Sequence, residues 1–182
     1  MCKALRWLIM AAAALSLAAS IAPSFGFAAH AQTGDWRITQ EVDRVTGAQI
    51  TNVLLKSSKT LHSGLALTPA ALLQFVCLKG QPLVHLQFAF KVGSKGDSDV
   101  AYRFDNKPAH PVEPRILRGL KIMLIEDQRE VAQFLDGLAT AKVLYLTINS
   151  LAKGRTSAEF RVAGAPAAIE AASAACPAKP KR

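Results

Sequence analysis

The segment from Leu83 to Val92 constrains the fold of this chain more than any other feature of the sequence. Its apolar and polar side chains alternate: the apolar set is Val84, Leu86, Phe88, Phe90 and Val92, and the polar set is His85, Gln87 and Lys91. Because successive side chains of a β-strand point to opposite faces, this alternation is typical of a half-buried strand. The segment predicts a sheet with one face on a core and the other toward solvent.

Strand-like segments recur along the chain. In addition to Leu83–Val92 they cover residues 36–42, 49–57, 71–78, 100–105, 119–125, 142–149 and 157–163. Gly80-Gln81-Pro82 is a tight turn that predicts a hairpin between two of them. The segment from Asn106 to Pro114 contains three prolines and is expected to be irregular. We therefore predict about eight mostly antiparallel strands.

Two helices are predicted to pack on these strands. Asp127 and Glu130 resemble the start of a capping box, and Val131, Phe134, Leu135 and Leu138 then form one apolar stripe. The second helix begins at Pro166, since proline suits the first helical position. This helix is expected to carry Cys176 on its inner face and to end at Pro177. The predicted class is α+β, with an antiparallel sheet or sandwich.

The first 31 residues resemble a secretory signal peptide. Lys3 and Arg6 precede an apolar run of 13 residues, and Ala29-His30-Ala31 follows as a cleavage site. The run is shorter than the roughly 20 residues that span a bilayer. We expect cleavage after Ala31, with Gly26 or Ala29 as alternatives and a retained anchor as the competing interpretation. Residues 32–176 then form one domain, and residues 177–182 a mobile basic tail.

Cleavage leaves two cysteines, Cys77 and Cys176. An even pair in an exported chain favours a disulfide over two buried free thiols. We place Cys77 at the end of a buried strand and Cys176 on the helix that faces it. The bond closes a loop of 99 residues, which the chain-entropy estimate values at up to about 4.7 kcal/mol.

The charge indicates the kind of partner that the protein attracts. The formal charge is +9, so anionic lipids, cell-wall polymers and acidic proteins are expected partners, although a merely soluble basic surface is the simpler interpretation. Nucleic acid is not predicted, since no aromatic stacking platform accompanies the basic residues. Hydrophobic residues make up 51% of the chain, which excludes a disordered protein.

Two groups of residues form the candidate binding surface. Arg115, Arg118 and Lys121 are close in sequence and are expected to form one exposed basic patch. Arg103 and Asp105 share a face of one strand, where they are either a ligand-reading pair or, as we prefer, a cross-strand ion pair. Reversing the charge of the basic group is predicted to weaken partner binding. This weakening is expected to become smaller as the salt concentration rises, because salt screens exposed charges.

No catalytic, metal or cofactor site is predicted. The nucleotide-binding, zinc-protease and serine-hydrolase motifs are absent. The mature histidines lie far apart: His62, His85 on a solvated strand face, and His110 in a proline-rich loop. Asp97 and Asp99 are better explained by a polar turn than by a calcium loop, which needs more acidic residues. The chain is therefore expected not to be an enzyme.

One family resemblance covers most of the mature chain. It is carried by Asp35-Trp36-Arg37-Ile38, a strand ending in Cys77, the strand Tyr102–Asp105, the helix with Phe134-Leu135, and a closing pattern of Phe160, Val162, Gly164, Ala168, Ile169 and Cys176. In these features the chain resembles the exported, type VI secretion-associated VasI/TagO-like periplasmic family. Its ending, Cys-Pro with a basic tail, departs from that pattern.

The resemblance implies a non-catalytic periplasmic accessory or adaptor protein with a protein partner or an anionic envelope component. The alternatives are a β-domain inhibitor or ligand-binding protein, such as one acting on a cell-wall hydrolase, and a hydrolase whose site is assembled in space. No cofactor is expected. The mature chain is predicted to have no transmembrane segment, and no oligomeric state is predicted.

Overall fold

The structure is a computed structural model that describes residues 31–176, except positions 43, 46, 48, 68–69, 79, 94–95, 118 and 120. Of the predicted signal peptide 1–31, residues 1–30 lie outside the described residues, and Ala31 is the first residue of a described strand; the predicted tail 177–182 and Arg118 also lie outside them. The described residues form an α+β domain. The predicted fold class is confirmed.

The elements follow one another in chain order as strands with two helices near the carboxyl end. They are β1 (Ala31–Thr33), β2 (Trp36–Val42), β3 (Gln49–Lys56), β4 (Lys59–His62), β5 (Leu65–Ala66), β6 (Ala71–Leu78), β7 (Gln81–Phe88), β8 (Ser98–Phe104), β9 (His110–Val112), β10 (Arg115–Ile116), β11 (Ile122–Ile125), α1 (Gln128–Thr140), β12 (Val143–Ser150), β13 (Gly154–Arg161) and α2 (Ala165–Ala174).

The strands form two antiparallel sheets. The first sheet has the order β1-β2-β3-β6-β7-β11-β10, and the second has the order β5-β4-β13-β12-β8-β9. The chain crosses between them at Ser57-Ser58, where Ser57 N–H bonds to Ala71 in the first sheet and Ser58 N–H to Glu159 in the second. It crosses again between β5 and β6, between β7 and β8, between the edge strands β9 and β10, and through α1 between β11 and β12. The two sheets therefore form a sandwich.

One core joins the inner faces of both sheets and both helices. The alternation predicted for Leu83–Val92 is confirmed up to Phe88, since Val84, Leu86 and Phe88 are buried, whereas His85 is half-buried and Gln87 is exposed; the strand ends at Phe88 and not at Val92. Trp36 is fully buried, stacks on Phe75 at 5.4 Å between ring centroids, and donates from Nε1 to the Val162 carbonyl 3.2 Å away. This hydrogen bond ties β2 to the segment that follows β13.

The eight predicted strands are all present, together with five short strands that the sequence patterns do not indicate (β1, β4, β5, β9 and β10). The prediction that Asn106 to Pro114 is irregular is wrong, because β9 pairs with β8 inside it, with Pro111 opposite Ala101. β9 is the edge of its sheet. A proline is tolerated there because its missing N–H can face away from the neighbouring strand.

Helix α1 begins as the sequence predicts. The Asp127 carboxylate accepts from the N–H groups of Arg129 and Glu130, which satisfies donors that a helix start leaves unpaired. Phe134 is buried, and its ring meets the rings of Tyr102 at 5.0 Å and Phe104 at 5.5 Å. Gly137 is required beside them, since a Cβ there would overlap the Phe104 ring. The helix is thereby packed against the second sheet.

Helix α2 packs on α1 and on strands β1, β2, β3 and β6 of the first sheet. It has proline in its first turn, as predicted, and ends at Ala174. Neither helix among the described residues has the length and apolar character needed to cross a membrane.

The predicted disulfide joins Cys77 and Cys176, whose Cα atoms are 5.3 Å apart. Two details differ from the prediction. Cys176 lies beyond the helix end, where its N–H bonds to the Ser173 carbonyl. Cys77 lies at an exposed strand end, since its neighbours Val76 and Leu78 are 38% and 49% exposed. The apolar run Ala71–Leu78 therefore leaves the core before it ends, and the bond ties the rim of the sheet to the last helix.

Candidate functional site

His62 is the last residue of strand β4 in the second sheet. Its Nδ1 is 2.8 Å from Thr156 Oγ1, and its ring is 4.2 Å from that of Phe90. Thr156 is fully buried, so its hydroxyl is inaccessible to a substrate. A nucleophilic pair also needs a group that orients the base, and no carboxylate contacts this ring in the described part of the chain. The hydrogen bond between His62 and Thr156 joins the paired strands β4 and β13.

His85 lies on the outer face of the first sheet, 2.6 Å through Nδ1 from Gln74 Oε1 on the paired strand. Burial lowers its pKa below the usual 6.5, because desolvation disfavours the charged ring. The sequence suggests a solvated histidine at this position. The structure shows a half-buried one, screened by the side chains around it on a broad sheet face.

His110 lies in strand β9 and not in a loop as the sequence predicts. Its Nε2 is 2.8 Å from Glu130 Oε2, and its Nδ1 is 3.3 Å from Gln133 Nε2. The amide of Gln133 can only donate to Nδ1, which leaves Nε2 to donate to the carboxylate. The ring also lies 5.2 Å from that of Tyr102. This contact joins edge strand β9 to helix α1.

Tyr102 lies beneath this contact and has a property that the packing does not explain. The residue is 4% exposed, and its hydroxyl has no hydrogen-bond partner among the described residues. Burial raises its pKa to about 12, and the negative charge of Glu130 adds to the effect. A buried hydroxyl without a partner costs free energy.

Arg103 and Asp105 do not form an ion pair among the described residues, and a ligand-reading role for them stays a prediction. The Arg103 guanidinium lies over the Tyr145 ring, 4.2 Å from its centroid, and donates to the backbone carbonyl of Asp105 at 2.8 Å. The Asp105 carboxylate accepts from the N–H groups of Lys142 and Val143. Asp105 has a φ of 49°, which places its side chain under the start of β12. Both residues have structural contacts.

The predicted basic patch of Arg115, Arg118 and Lys121 stays a prediction, because Arg118 lies outside the described residues. Arg115 and Lys121 are exposed, and the guanidinium of Arg115 bonds to the Glu126 carboxylate at 2.6 Å. One of the three cations is therefore paired with an acid of the next strand end.

A large open cleft lies where the facing edges of the two sheets diverge. Its volume is about 1420 Å³. One wall is formed by the start of β8, the end of β9 and the hairpin tip between β12 and β13. The other wall is formed by β10, Leu124 of β11 and the start of α1. The buried side chains Val100, Val112 and Leu124 form part of its lining.

The cleft is acidic although the protein is basic. Among the described residues, six carboxylates and two guanidinium groups line it, which gives this described lining a formal charge of −4, whereas the whole chain has +9; the acids are Asp97, Asp99, Glu113, Glu126, Asp127 and Glu130. Glu126, Asp127 and Glu130 already have the partners described above. Asp99 and Glu113 have no ion-pair or hydrogen-bond partner within the described part of the chain. The cleft therefore has carboxylates available to a ligand.

The sequence patterns do not reveal this cleft. Asp97 and Asp99 are interpreted above as polar turn residues, Glu113 as part of an irregular segment, and Asp127 as a helix cap. Each local interpretation is reasonable, but none indicates that four separate segments meet. The sequence contains one signal for the cleft, because each of these acids lies at or near the end of a strand or the start of a helix.

The described residues contain no group of three or more histidine, cysteine, aspartate or glutamate side chains arranged to hold a metal ion.

Comparison with known proteins shows the fold. No protein-family model and no curated protein matches the sequence. The crystal structure of invasion associated protein b from Bartonella henselae is similar to this chain, with a TM-score of 0.54 over 80% of this chain and 96% of that one, at 13% identity. At this identity the likeness extends to the arrangement of strands and helices and not to a shared activity.

Proposed function

We propose that this protein is an exported, non-catalytic binding protein, an envelope accessory or adaptor, that holds a protein partner in the cleft between its two sheet edges. The observation that carries the proposal is the cleft itself. Its volume of about 1420 Å³ exceeds the roughly 300–1,000 Å³ typical of small-molecule pockets, and its walls come from both sheets and from α1. A site of this size and openness suits a segment of another protein.

The histidines support a non-catalytic role. General acid–base catalysis needs a base within reach of a nucleophile or of a bound substrate. His62 contacts a buried threonine, His85 a glutamine on a sheet face, and His110 a glutamate and a glutamine. Each ring has a packing or hydrogen-bonding role of its own. None of them is placed beside an accessible serine, threonine or cysteine in the contacts of the described residues.

Two features of the chain support a location at the cell envelope. The first 31 residues resemble a signal peptide, and Cys77 and Cys176 form a disulfide, a bond that reducing compartments disfavour. The resemblance to the VasI/TagO-like family also favours a role in the envelope. We therefore propose that the mature protein acts in the periplasm, and the finer part of the proposal is that it is linked to a secretion system.

N-terminal sequencing of the protein from its native host tests the export step. We expect a mature chain that starts at Gln32 or within a few residues of it. An intact Met1 on cytoplasmic protein would exclude periplasmic action.

The binding role is tested by blocking the cleft with a single bulky side chain. Ala101 lines the cleft on the outer face of β8 and is half-exposed, so Ala101→Trp fills space without entering the core. Ser157→Trp is the matched control: Ser157 is half-exposed on the same sheet, two strands away, and does not line the cleft. Cross-linking in the native host should yield partner adducts for wild type and Ser157→Trp but not for Ala101→Trp.

Charge reversal in the predicted basic patch gives the result that would contradict the proposal. If charge reversal at Arg115, Arg118 and Lys121 removes the adducts while Ala101→Trp keeps them, the cleft is not the binding site and an anionic partner on the basic surface is the better interpretation.

A further inference from the structure

The geometry points to a basic polypeptide segment, with cationic and apolar side chains, as the occupant of the cleft. This inference rests on the proposed binding function and names its partner class. Two observations carry it: the local charge and the apolar lining of the cleft.

The charge sets the sign of the ligand. The described lining of the cleft has a formal charge of −4 in a chain of charge +9, so its acids are not part of a general acidic surface. Clefts lined by one sign of charge concentrate the field and attract the opposite sign. Asp99 on β8 and Glu113 beyond β9 are both exposed and unpaired within the described residues. These two carboxylates are free to meet cations of a ligand.

The lining sets the character of the ligand between its charges. Val100, Val112 and Leu124 contribute to the lining of the cleft, and Ile116 and Pro111 lie among them. Apolar atoms of a ligand that cover this surface gain about 25 cal/mol for each Å² removed from water. A simple polyamine offers charge and short methylene spacers, whereas a peptide also offers branched apolar side chains. The combination favours a peptide.

The edge of the second sheet indicates that side chains, and not a new strand, make the contact. β9 has three residues and Pro111 is the middle one, so the edge lacks a donor at its centre. Short edge strands that contain proline resist pairing with another chain. Recognition is therefore expected to depend on the charge of the segment more than on its backbone.

The test measures binding of a fluorescent decapeptide of alternating lysine and valine to the mature protein by anisotropy. The Asp99→Asn/Glu113→Gln double variant should bind it about tenfold more weakly, since exposed ion pairs contribute modestly and two are removed. The matched control is Asp136→Asn/Glu170→Gln, which removes the same charge from exposed positions on α1 and α2. This control should bind within twofold of wild type.

Two further probes define the ligand class. A decapeptide of alternating glutamate and valine should not bind, and spermine should compete only at far higher concentration than the lysine–valine peptide. An equal loss of peptide affinity in both double variants would mean that net charge alone sets binding, and it would overturn the inference. Binding of the acidic peptide as tight as that of the lysine–valine peptide, or equally effective competition by spermine, would also overturn it.

The failure of this inference is distinguishable from the failure of the proposed function. If Ala101→Trp removes the native adducts but the basic peptide does not bind wild type, the cleft is a binding site for another class of partner. If Ala101→Trp keeps the adducts, the binding role of the cleft itself is wrong.

Discussion

The helix-covered side of the sandwich and the cleft differ in how completely their polar and apolar groups are satisfied. On the helix-covered side Trp36 bonds to Val162, Cys77 is linked to Cys176, and the Phe134 ring packs between aromatic neighbours. In the cleft two carboxylates are unpaired within the described residues, and a nearby hydroxyl lacks a partner. The contacts that stabilise the fold and the groups available for binding therefore lie in separate regions, and α1 borders both.

Removing the aromatic ring of α1 should have the largest effect on stability. Phe134→Ala leaves a cavity beside Tyr102 and Phe104, and buried phenylalanine truncations cost about 3–5 kcal/mol. Urea denaturation checks the value. Ala132→Gly on the exposed face of the same helix is the control and should cost about 1 kcal/mol. A loss below that of the control would mean that the helix does not anchor the second sheet.

Loss of the disulfide should follow closely. Cys176→Ser is expected to lower the free energy of unfolding by about 2–5 kcal/mol, because the bond restrains a long loop in the unfolded chain. Wild type under reducing conditions should show the same decrease. Two alkylatable thiols in the unreduced wild-type protein would show that the bond does not form.

The corrected role of Asp105 predicts an intermediate effect. Asp105→Ala removes the acceptor for two backbone N–H groups and places alanine at a φ of 49°, so a loss of about 1–3 kcal/mol is expected. Asp105→Asn keeps an acceptor and tolerates this backbone conformation, and should recover at least half of that loss. Equal losses in both variants would instead indicate that the negative charge matters.

Tyr102→Phe should change stability in the opposite direction. Removing a buried, unpartnered hydroxyl is expected to stabilise the free protein by about 1 kcal/mol at neutral pH. The folded pKa of about 12 lies above the ordinary value of 10.0. Folding therefore loses stability as the pH rises from 10 to 12, and Tyr102→Phe should remove that part of the loss. Spectrophotometric titration should find one of the two tyrosines ionising near pH 12, and a normal value for both would contradict the burial.

The fold was more predictable from the sequence than the candidate site, for a physical reason. Strand alternation, the Asp127 cap and the cysteine pair are local signals or depend on a single contact, and all three are confirmed. The sequence does not reveal edge strand β9, because Pro111 within it and the prolines on either side suppress the local strand signal, although an edge position tolerates proline. The cleft depends on four segments meeting in space, so no local pattern around Asp99 or Glu113 reveals it.

The histidines show the same limit. Their chemistry depends on neighbours that are distant in sequence: Thr156 for His62, Gln74 for His85 and Glu130 for His110. Spacing along the chain carries no information about such pairs. The expectation of a non-catalytic protein therefore rests on the absence of motifs and remains a prediction.

The central claim, that binding depends on the cleft and not on the histidines, is tested most directly by partner cross-linking of two variant sets beside wild type. The account predicts that replacing His62, His85 and His110 with alanine preserves the adducts, since loss of His110 only frees the Glu130 carboxylate. It predicts that Asp99→Asn/Glu113→Gln reduces them about tenfold. Adducts and function that survive the cleft pair but disappear in the histidine set would contradict the account and favour a hydrolase with a spatially assembled site.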